Sequence, residues 1–137
     1  MKKLFLVLMA IGLIMIGACG KSNDPKTVLN DFVGIFDNFS TDMGKAASAD
    51  DVAAALNTTS AKMKEIVPRL KELEKKYPEL KNMQSGGKMP EEFKEFEQKI
   101  SELGPKMMAA MGNAMKYMSD PKVIEAQKNF QEAMKGM

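Results

Sequence analysis

The 137-residue chain contains no histidine, and Cys19 is its single cysteine. Without histidine there is no imidazole to act as the general base of a catalytic triad. No serine lies in the strand-to-helix turn that exposes a nucleophile, although lysine and glutamate remain available for acid–base chemistry. The composition therefore predicts a protein that is not an enzyme, and it predicts neither a resident metal ion nor a cofactor.

The chain also lacks an apolar run long enough to cross a membrane. Its uncharged stretch at residues 4–17 has about 14 residues, whereas a spanning helix needs about 20. The stretch follows Lys2 and Lys3, and a basic start before a short apolar run is typical of a secretory signal peptide. Residues 1–18 are therefore predicted to be a leader that is removed.

The leader ends in Ile16-Gly17-Ala18-Cys19, which resembles the lipobox of bacterial lipoprotein precursors. The resemblance implies that the Cys19 thiol receives a diacylglyceryl group, that the chain is cut just before Cys19, and that the new amino terminus is usually acylated. It covers only the leader and Cys19, because residues 20–137 resemble no specific family. Cleavage after Gly20 is the alternative, since Ala18 and Gly20 fit a small-x-small site, and it would release a soluble product.

The same resemblance implies a location for the mature protein. It would lie on a membrane of the bacterial cell envelope, anchored through the lipid on Cys19 and facing away from the cytoplasm. Gly20 stands at the second mature position, where lipoproteins kept at the inner membrane of many two-membrane bacteria carry aspartate. An outer-membrane location is therefore favoured if the source has two membranes.

The charge balance excludes one class of partner. Two of the twenty basic residues are Lys2 and Lys3, so the chain from Cys19 onward carries eighteen basic and eighteen acidic residues. A net charge of zero with interspersed signs predicts no binding to nucleic acid and no polybasic patch for anionic lipid. The expected partners are the membrane, through the covalent lipid on Cys19, and a protein of the envelope.

The 119 residues after the leader suit one domain, with residues 19–23 as a lipidated tether and residues 24–137 as the folded part. Apolar residues recur at three- and four-residue steps without sustained alternation of period two, so the sequence predicts an all-α fold. The predicted architecture is a small elongated helical bundle built on a long antiparallel hairpin of helices at about 52–81 and 90–118, with shorter flanking helices.

The two arms of this hairpin carry apolar stripes with heptad spacing, which are expected to pack against each other. The first stripe is Val52, Leu56, Thr59, Met63, Ile66, Leu70, Leu73, Tyr77 and Leu80. The second is Phe93, Phe96, Ile100, Leu103, Met107, Ala110, Ala114 and Tyr117. A glycine-rich turn at residues 82–88 would join the arms.

Capping signals and prolines predict where the helices begin, end and bend. Asp24-Pro25 starts a first helix at about 25–43, and Asp120-Pro121 starts the last one. Ser48 followed by Asp51 resembles a capping box. Pro68 is expected to kink its helix rather than break it. Gly104-Pro105 is a point at which the helix of the second arm can end at Leu103 and restart at Pro105.

Methionine is abundant, and Met107, Met108, Met111, Met115 and Met118 crowd into one helical segment. The favoured interpretation is ordinary core, because methionine fills irregular gaps. Two alternatives remain, an adaptable groove for apolar ligands or partner helices and the binding of Cu(I) by thioether sulfurs. The candidate ligand-binding residues are Phe93, Phe96, Met107, Met111 and Met115.

Two functions follow from these observations. The first is a membrane-anchored envelope lipoprotein that acts as a non-enzymatic structural or protein-interaction module. The alternative is a binder of an apolar small ligand or Cu(I) through the helices lined by methionine and phenylalanine.

Overall fold

The computed structural model describes residues 23–80 and 89–135. In these ranges the chain forms helices α1 (Pro25–Lys45), α2 (Ala49–Lys76), α3 (Lys94–Ala114) and α4 (Pro121–Met134), and one-turn 3-10 helices flank α3 at Glu91–Phe93 and Met115–Tyr117. No strand occurs in the two described ranges, and the predicted all-α bundle is confirmed. The predicted turn at 82–88 and the leader with Cys19 lie outside the described residues.

The predicted caps of α1 and α4 are confirmed. The Asp24 carboxylate accepts a hydrogen bond from the backbone N–H of Thr27 at 3.1 Å, and the Asp120 carboxylate accepts one from that of Lys122 at 2.9 Å. A proline occupies the first turn of each helix, where its missing N–H removes no helical hydrogen bond. Two similar sequences therefore start two helices in the same way.

The cap of α2 is a variant of the predicted capping box. The Ser48 hydroxyl accepts a hydrogen bond from the backbone N–H of Asp51 at 3.2 Å, while the Asp51 carboxylate accepts one from that of Ala47 at 3.0 Å. The hydrogen bond from the Ala47 backbone lowers the pKa of Asp51, and the Ser48 side chain lowers this pKa further. The carboxylate therefore ties the start of α2 to the loop before it.

Both internal prolines lie inside continuous helices. Helix α2 passes through Pro68 without interruption, as expected for a kink rather than a break. Helix α3 also continues through Pro105, so of the two outcomes that the sequence left open the uninterrupted helix is observed. Leu103 and Ala110, on either side of the proline, are both buried, and their packing outweighs the one backbone hydrogen bond that proline removes.

Helices α1 and α2 form an antiparallel hairpin through the short connection at 46–48. At its open end, Arg69 Nη1 donates to Asp31 Oδ2 at 2.7 Å and Asn23 Nδ2 donates to Glu72 Oε2 at 3.4 Å. Early residues of α1 therefore lie beside late residues of α2.

Helix α3 runs parallel to α1. Lys99 Nζ donates to Asn30 Oδ1 at 2.9 Å, and one heptad later Lys106 Nζ donates to Asp37 Oδ1 at 2.8 Å. The offset between the partners is the same in both pairs, which requires the two helices to run in the same direction.

Helix α4 runs parallel to α2 by the same criterion. Lys122 Nζ donates to Asp50 Oδ1 at 2.5 Å, and Asn129 Nδ2 donates to Asn57 Oδ1 at 3.2 Å. The second hairpin, α3–α4, therefore lies alongside the first, with its connection next to the α1–α2 connection.

The close helix pairs are α1 with α2, α1 with α3 and α2 with α4. Helices α2 and α3 lie across the diagonal and make few contacts, so their predicted apolar stripes meet at one end, where the rings of Tyr77 and Phe93 lie 5.1 Å apart. The short connection at 46–48 makes neighbours of α1 and α2, whereas the longer connection between α2 and α3 permits the diagonal arrangement. Helices α3 and α4 also make few contacts, and the fourth side of the bundle has no close helix pair.

The described core divides into two clusters along the bundle. The cluster nearer the start of α1 comprises Val28, Leu29, Ile35, Met63, Ile66, Val67, Leu73, Leu80, Met89, Phe93, Phe96 and Ala133. The cluster nearer the α1–α2 connection comprises Phe39, Met43, Ala46, Val52, Ala53, Ala55, Leu56, Ala110, Ala114, Val123 and Ala126.

Candidate functional site

The structure divides the five candidate ligand-binding residues between two places. Phe93 and Phe96 are 1% and 0% exposed and belong to the first core cluster. Met107 is half-buried against the second cluster, while Met111 and Met115 are exposed on α3. The phenylalanines therefore act as core residues, and the methionines lie farther along the helix.

The interpretation of the methionine segment as ordinary core is wrong for three of its members. Met108 is 79% exposed, Met115 is 71% exposed and Met111 is 40% exposed. The core role belongs instead to Met43 and Met63, which are fully buried. An exposed methionine that fills no gap in its own fold needs another explanation.

Three side chains spaced one heptad apart fix the rotation of α3 against α1. Lys99 and Lys106 bond to α1 as described above, and Asn113 Nδ2 donates to the backbone carbonyl of Met43 at 3.1 Å. Because seven residues make about two helical turns, all three lie on the same flank of α3. The opposite flank must therefore point away from α1.

That opposite flank is uncharged from Ile100 to Met115. Met108 and Met115 point away from α1, and Ile100 and Met111 lie nearer the α4 side, where their exposures fall to 36% and 40%. The exposed residues of this flank are Ile100, Ser101, Gly104, Pro105, Met108, Met111, Gly112 and Met115.

Helix α4 continues the same surface. Lys122 and Asn129 contact α2, so the residues two positions further on, Ile124 and Gln131, lie on the side of α4 away from α2. Ile124 is 40% exposed. We use the term outer face for the uncharged flank of α3 together with Ile124, Lys128, Gln131 and Lys135 of α4.

The charges at the border of the outer face are mostly positive. Lys116 follows the uncharged flank of α3, and Lys128 and Lys135 are exposed on α4. Glu97 at the beginning of the flank and Glu132 on α4, four residues after Lys128, are the acidic residues at this border. Around the outer face the basic side chains therefore outnumber the acidic ones by one, which sequence composition did not indicate.

A second surface feature is a groove of about 560 Å³ between α1 and α2. Asn30 and Asp31 line it from α1, and Lys62 and Arg69 line it from α2. Gly34 also lines the groove, and a Cβ atom there would meet nothing within 4 Å. Charged side chains of both signs therefore line the groove together with the apolar Ile35 and Ile66.

The ion pairs between helices shift two lysine pKa values. The hydrogen bond and the attraction of Asp37 raise the pKa of Lys106, and Asp50 raises that of Lys122 in the same way. All four side chains are substantially exposed, so each pair contributes little to stability. We interpret them as contacts that set helix register.

Across 23–80 and 89–135, no group of three or more cysteine, aspartate or glutamate side chains is placed to hold a metal ion. None of the helices in this part of the chain is both long and apolar enough to cross a membrane. No family model matches the chain, and no match was found among curated proteins or solved structures.

Sequence reasoning missed the outer face because it followed a single stripe along α3. The heptad stripe through Phe93, Phe96 and Leu103 marks the core correctly. A second uncharged strip lies beside it, through Met108 and Met115, and the absence of charge between Gln98 and Lys116 on that side was the available signal.

Proposed function

We propose that this chain is a bacterial lipoprotein, held on a membrane of the cell envelope by lipid on Cys19, which acts as a non-enzymatic structural or protein-interaction module. The observation that carries the proposal is the sequence of the first 19 residues, with a basic start, a short apolar run and Ile16-Gly17-Ala18-Cys19 at its end. An envelope protein held in this way faces away from the cytoplasm, and Gly20 favours the outer membrane of a two-membrane cell.

The position of the bundle supports a function close to the membrane. The first cap residue of α1 is Asp24, so residues 20–23 separate Cys19 from the folded part. Four residues of chain extend over at most about 15 Å. The start of α1 would therefore stay within about 15 Å of the lipid headgroups.

The groove between α1 and α2 is the surface that we assign to a protein partner. Its walls carry the ion pair of Arg69 with Asp31 and the exposed ammonium group of Lys62, which suits a polar segment that carries a carboxylate. Gly34 leaves room for a side chain of the partner. The bundle buries its own apolar core, so the groove is not needed for folding.

Replacement of the anchor tests the membrane part of the proposal. The Cys19→Ser chain should move from the membrane pellet to the soluble fraction, whereas the wild-type chain should remain in the pellet. Mass spectrometry of the mature amino terminus should find a diacylglyceryl group on Cys19. Equal pelleting of the two chains, or an unmodified Cys19, would contradict the anchor.

Filling the groove tests the interaction part. Gly34→Leu should abolish the recovery of proteins that are cross-linked to the wild-type chain in envelope extracts. Gly44→Leu is the matched control, because Gly44 is also in α1 with nothing within 4 Å of a Cβ and lies outside this groove. Identical cross-linked proteins for wild type and Gly34→Leu would contradict a role for the groove.

The alternative function is the binding of Cu(I) or an apolar small ligand. It has less support, because Phe93 and Phe96 are buried in the core while Met111 and Met115 are exposed. A thermal melt with excess Cu(I) or fatty acid tests it by mass action, since a bound ligand raises Tm. We expect an unchanged Tm, and a rise would favour the alternative.

A further inference from the structure

We propose that the outer face of α3 and α4 lies flat on the lipid bilayer that carries the Cys19 anchor, with Met108 and Met115 in contact with the headgroup region. The inference rests on the proposed function for the anchor alone. The face itself is a property of the folded chain, and its contact with lipid is tested separately below.

The arrangement of the helices provides a suitable surface. Helices α3 and α4 each pack on one helix of the first hairpin, and the hydrogen bonds that hold them are on the sides facing α1 and α2. Met108, Met115 and Ile124 lie on the sides facing away. The two helices therefore present their exposed apolar residues in the same direction, as one broad surface.

The composition of the face differs from that of an ordinary solvated helix. Over the four turns from Ile100 to Met115, the flank of α3 that points away from α1 has no charged residue, while Glu102 and Lys106 lie on the flank towards α1. The exposed side of α2 carries charges at Lys62, Lys64 and Lys71 over a similar length. Exposed apolar side chains without interspersed charge mark an interaction surface, and methionine adapts readily to a disordered environment.

The border charges favour a bilayer with anionic headgroups. Lys116, Lys128 and Lys135 surround the apolar residues, against the acidic Glu97 and Glu132. Lysine at the edge of an apolar surface can place its charge among headgroups while its carbon chain covers apolar area. A second copy of the chain is the other occupant of such a face, and the test below distinguishes it from lipid.

The length of the tether agrees with this orientation. With the outer face on the membrane, α1 lies above α3 by one interhelical distance of about 8–10 Å. The radius of α3 adds about 5 Å, so the start of α1 is about 15 Å above the surface. The four residues between Cys19 and Asp24 can span this distance when extended.

The anchor and the face would act together. A few partly exposed apolar residues bind a bilayer weakly by themselves, because interfacial affinity scales with the apolar area that is buried. The anchor holds the face at a high local concentration near the lipid, which makes the second contact effectively intramolecular. Flat binding would also direct the α1–α2 groove away from the membrane, towards a protein partner.

The test uses the full lipidated chain in vesicles of phosphatidylethanolamine and phosphatidylglycerol in equal amounts. A cysteine introduced at Met115 is the only free thiol, because Cys19 is acylated, and it is labelled with a nitroxide. The collision rate of the nitroxide with oxygen, divided by its collision rate with a water-soluble nickel complex, should rise several-fold when the chain is transferred from detergent-free buffer to vesicles. The control label at Thr58, exposed on α2, should show no rise.

Three outcomes would overturn the inference. If the vesicle-bound chain shows the same aqueous accessibility at Met115 as at Thr58, the face does not touch lipid, although the anchor stands. If the Met115 label is shielded from both reagents and shows spin–spin broadening, the face is covered by a second copy. If the acylated chain does not bind vesicles, the inference and the proposed anchoring both fail.

A pair of charge reversals tests the contribution of the lysines. Lys128→Glu with Lys135→Glu should reduce the oxygen accessibility at Met115 several-fold in the anionic vesicles and leave it unchanged in phosphatidylcholine vesicles. Lys75→Glu with Lys76→Glu is the matched control on α2 and should have no effect. Equal effects of the two pairs would show that the border lysines do not select the headgroup.

Discussion

The side-chain amide of Asn113 donates a hydrogen bond to the backbone carbonyl of Met43, 3.1 Å away, and a second to the carbonyl of Ala46 at 3.0 Å. The last carbonyl groups of a helix have no partner within the helix, and Asn113 supplies one for the end of α1. The nearby Tyr117 hydroxyl donates to the carbonyl of Ala47 at 2.6 Å. Together these bonds fix the end of α3 on the α1–α2 connection and thereby fix which side of α3 is exposed.

Removal of this amide should weaken the bundle. Asn113→Ala removes the side-chain donor to the Ala46 carbonyl and leaves the Met43 carbonyl with the Ala46 N–H alone, so the free energy of unfolding should fall by about 1–3 kcal/mol. Asn129→Ala removes an exposed side-chain hydrogen bond and should cost no more than about 0.5 kcal/mol. Urea unfolding of the two variants gives both values, and equal losses would contradict the role of Asn113.

The methionines should separate into two classes by their effect on stability. Met63 is fully buried in the first core cluster, so Met63→Ala should lower the free energy of unfolding by about 2–5 kcal/mol. Met108 is 79% exposed, and Met108→Ala should change stability by less than about 0.5 kcal/mol. Thermal melts at one pH compare the pair, and a large loss at Met108 would mean that it is covered in the free chain.

The cap of α2 should make stability depend on acid pH. Because the folded state lowers the pKa of Asp51 below 3.8, the folded chain binds this proton less tightly than the unfolded chain. The resulting stabilisation is present above pH 3.8 and is lost as the pH falls through the folded-state value. Asp51→Asn should therefore flatten the decline of the urea midpoint in this acid range. Parallel curves for variant and wild type would contradict the assignment.

The sequence predicted where the helices lie along the chain better than it predicted which helices pack against each other, for a physical reason. Caps and periodicity are local, so Asp24, Ser48 and Asp120 were recognised from a few adjacent residues. Heptad spacing reveals which side of a helix is apolar but not which helix covers it. Helices α2 and α3 both pack on α1 and therefore lie diagonal to each other. No local sequence pattern shows that these contacts with α1 are preferred over direct packing of α2 on α3.

The same limit explains two features of α3 that the sequence did not determine. Gly104-Pro105 has a strong local tendency to end a helix, but tertiary packing of Leu103 and Ala110 keeps α3 continuous. The methionines resemble core residues in sequence, and only the rotation of α3, set by distant contacts such as Lys106 with Asp37, turns Met108 outward.

Gly104 offers a direct test of the continuity of α3. In an uninterrupted helix an exposed glycine costs up to about 1 kcal/mol relative to alanine, because it loses more backbone freedom on folding. A Cβ at Gly104 would meet nothing within 4 Å, so Gly104→Ala should raise the free energy of unfolding by about 0.4–1 kcal/mol. Ala109→Gly, at an exposed site one turn beyond Pro105, should lower it by a similar amount. If Gly104→Ala instead destabilises the chain while Ala109→Gly behaves as expected, the helix is interrupted before Pro105, and the uncharged flank of α3 is not one continuous surface.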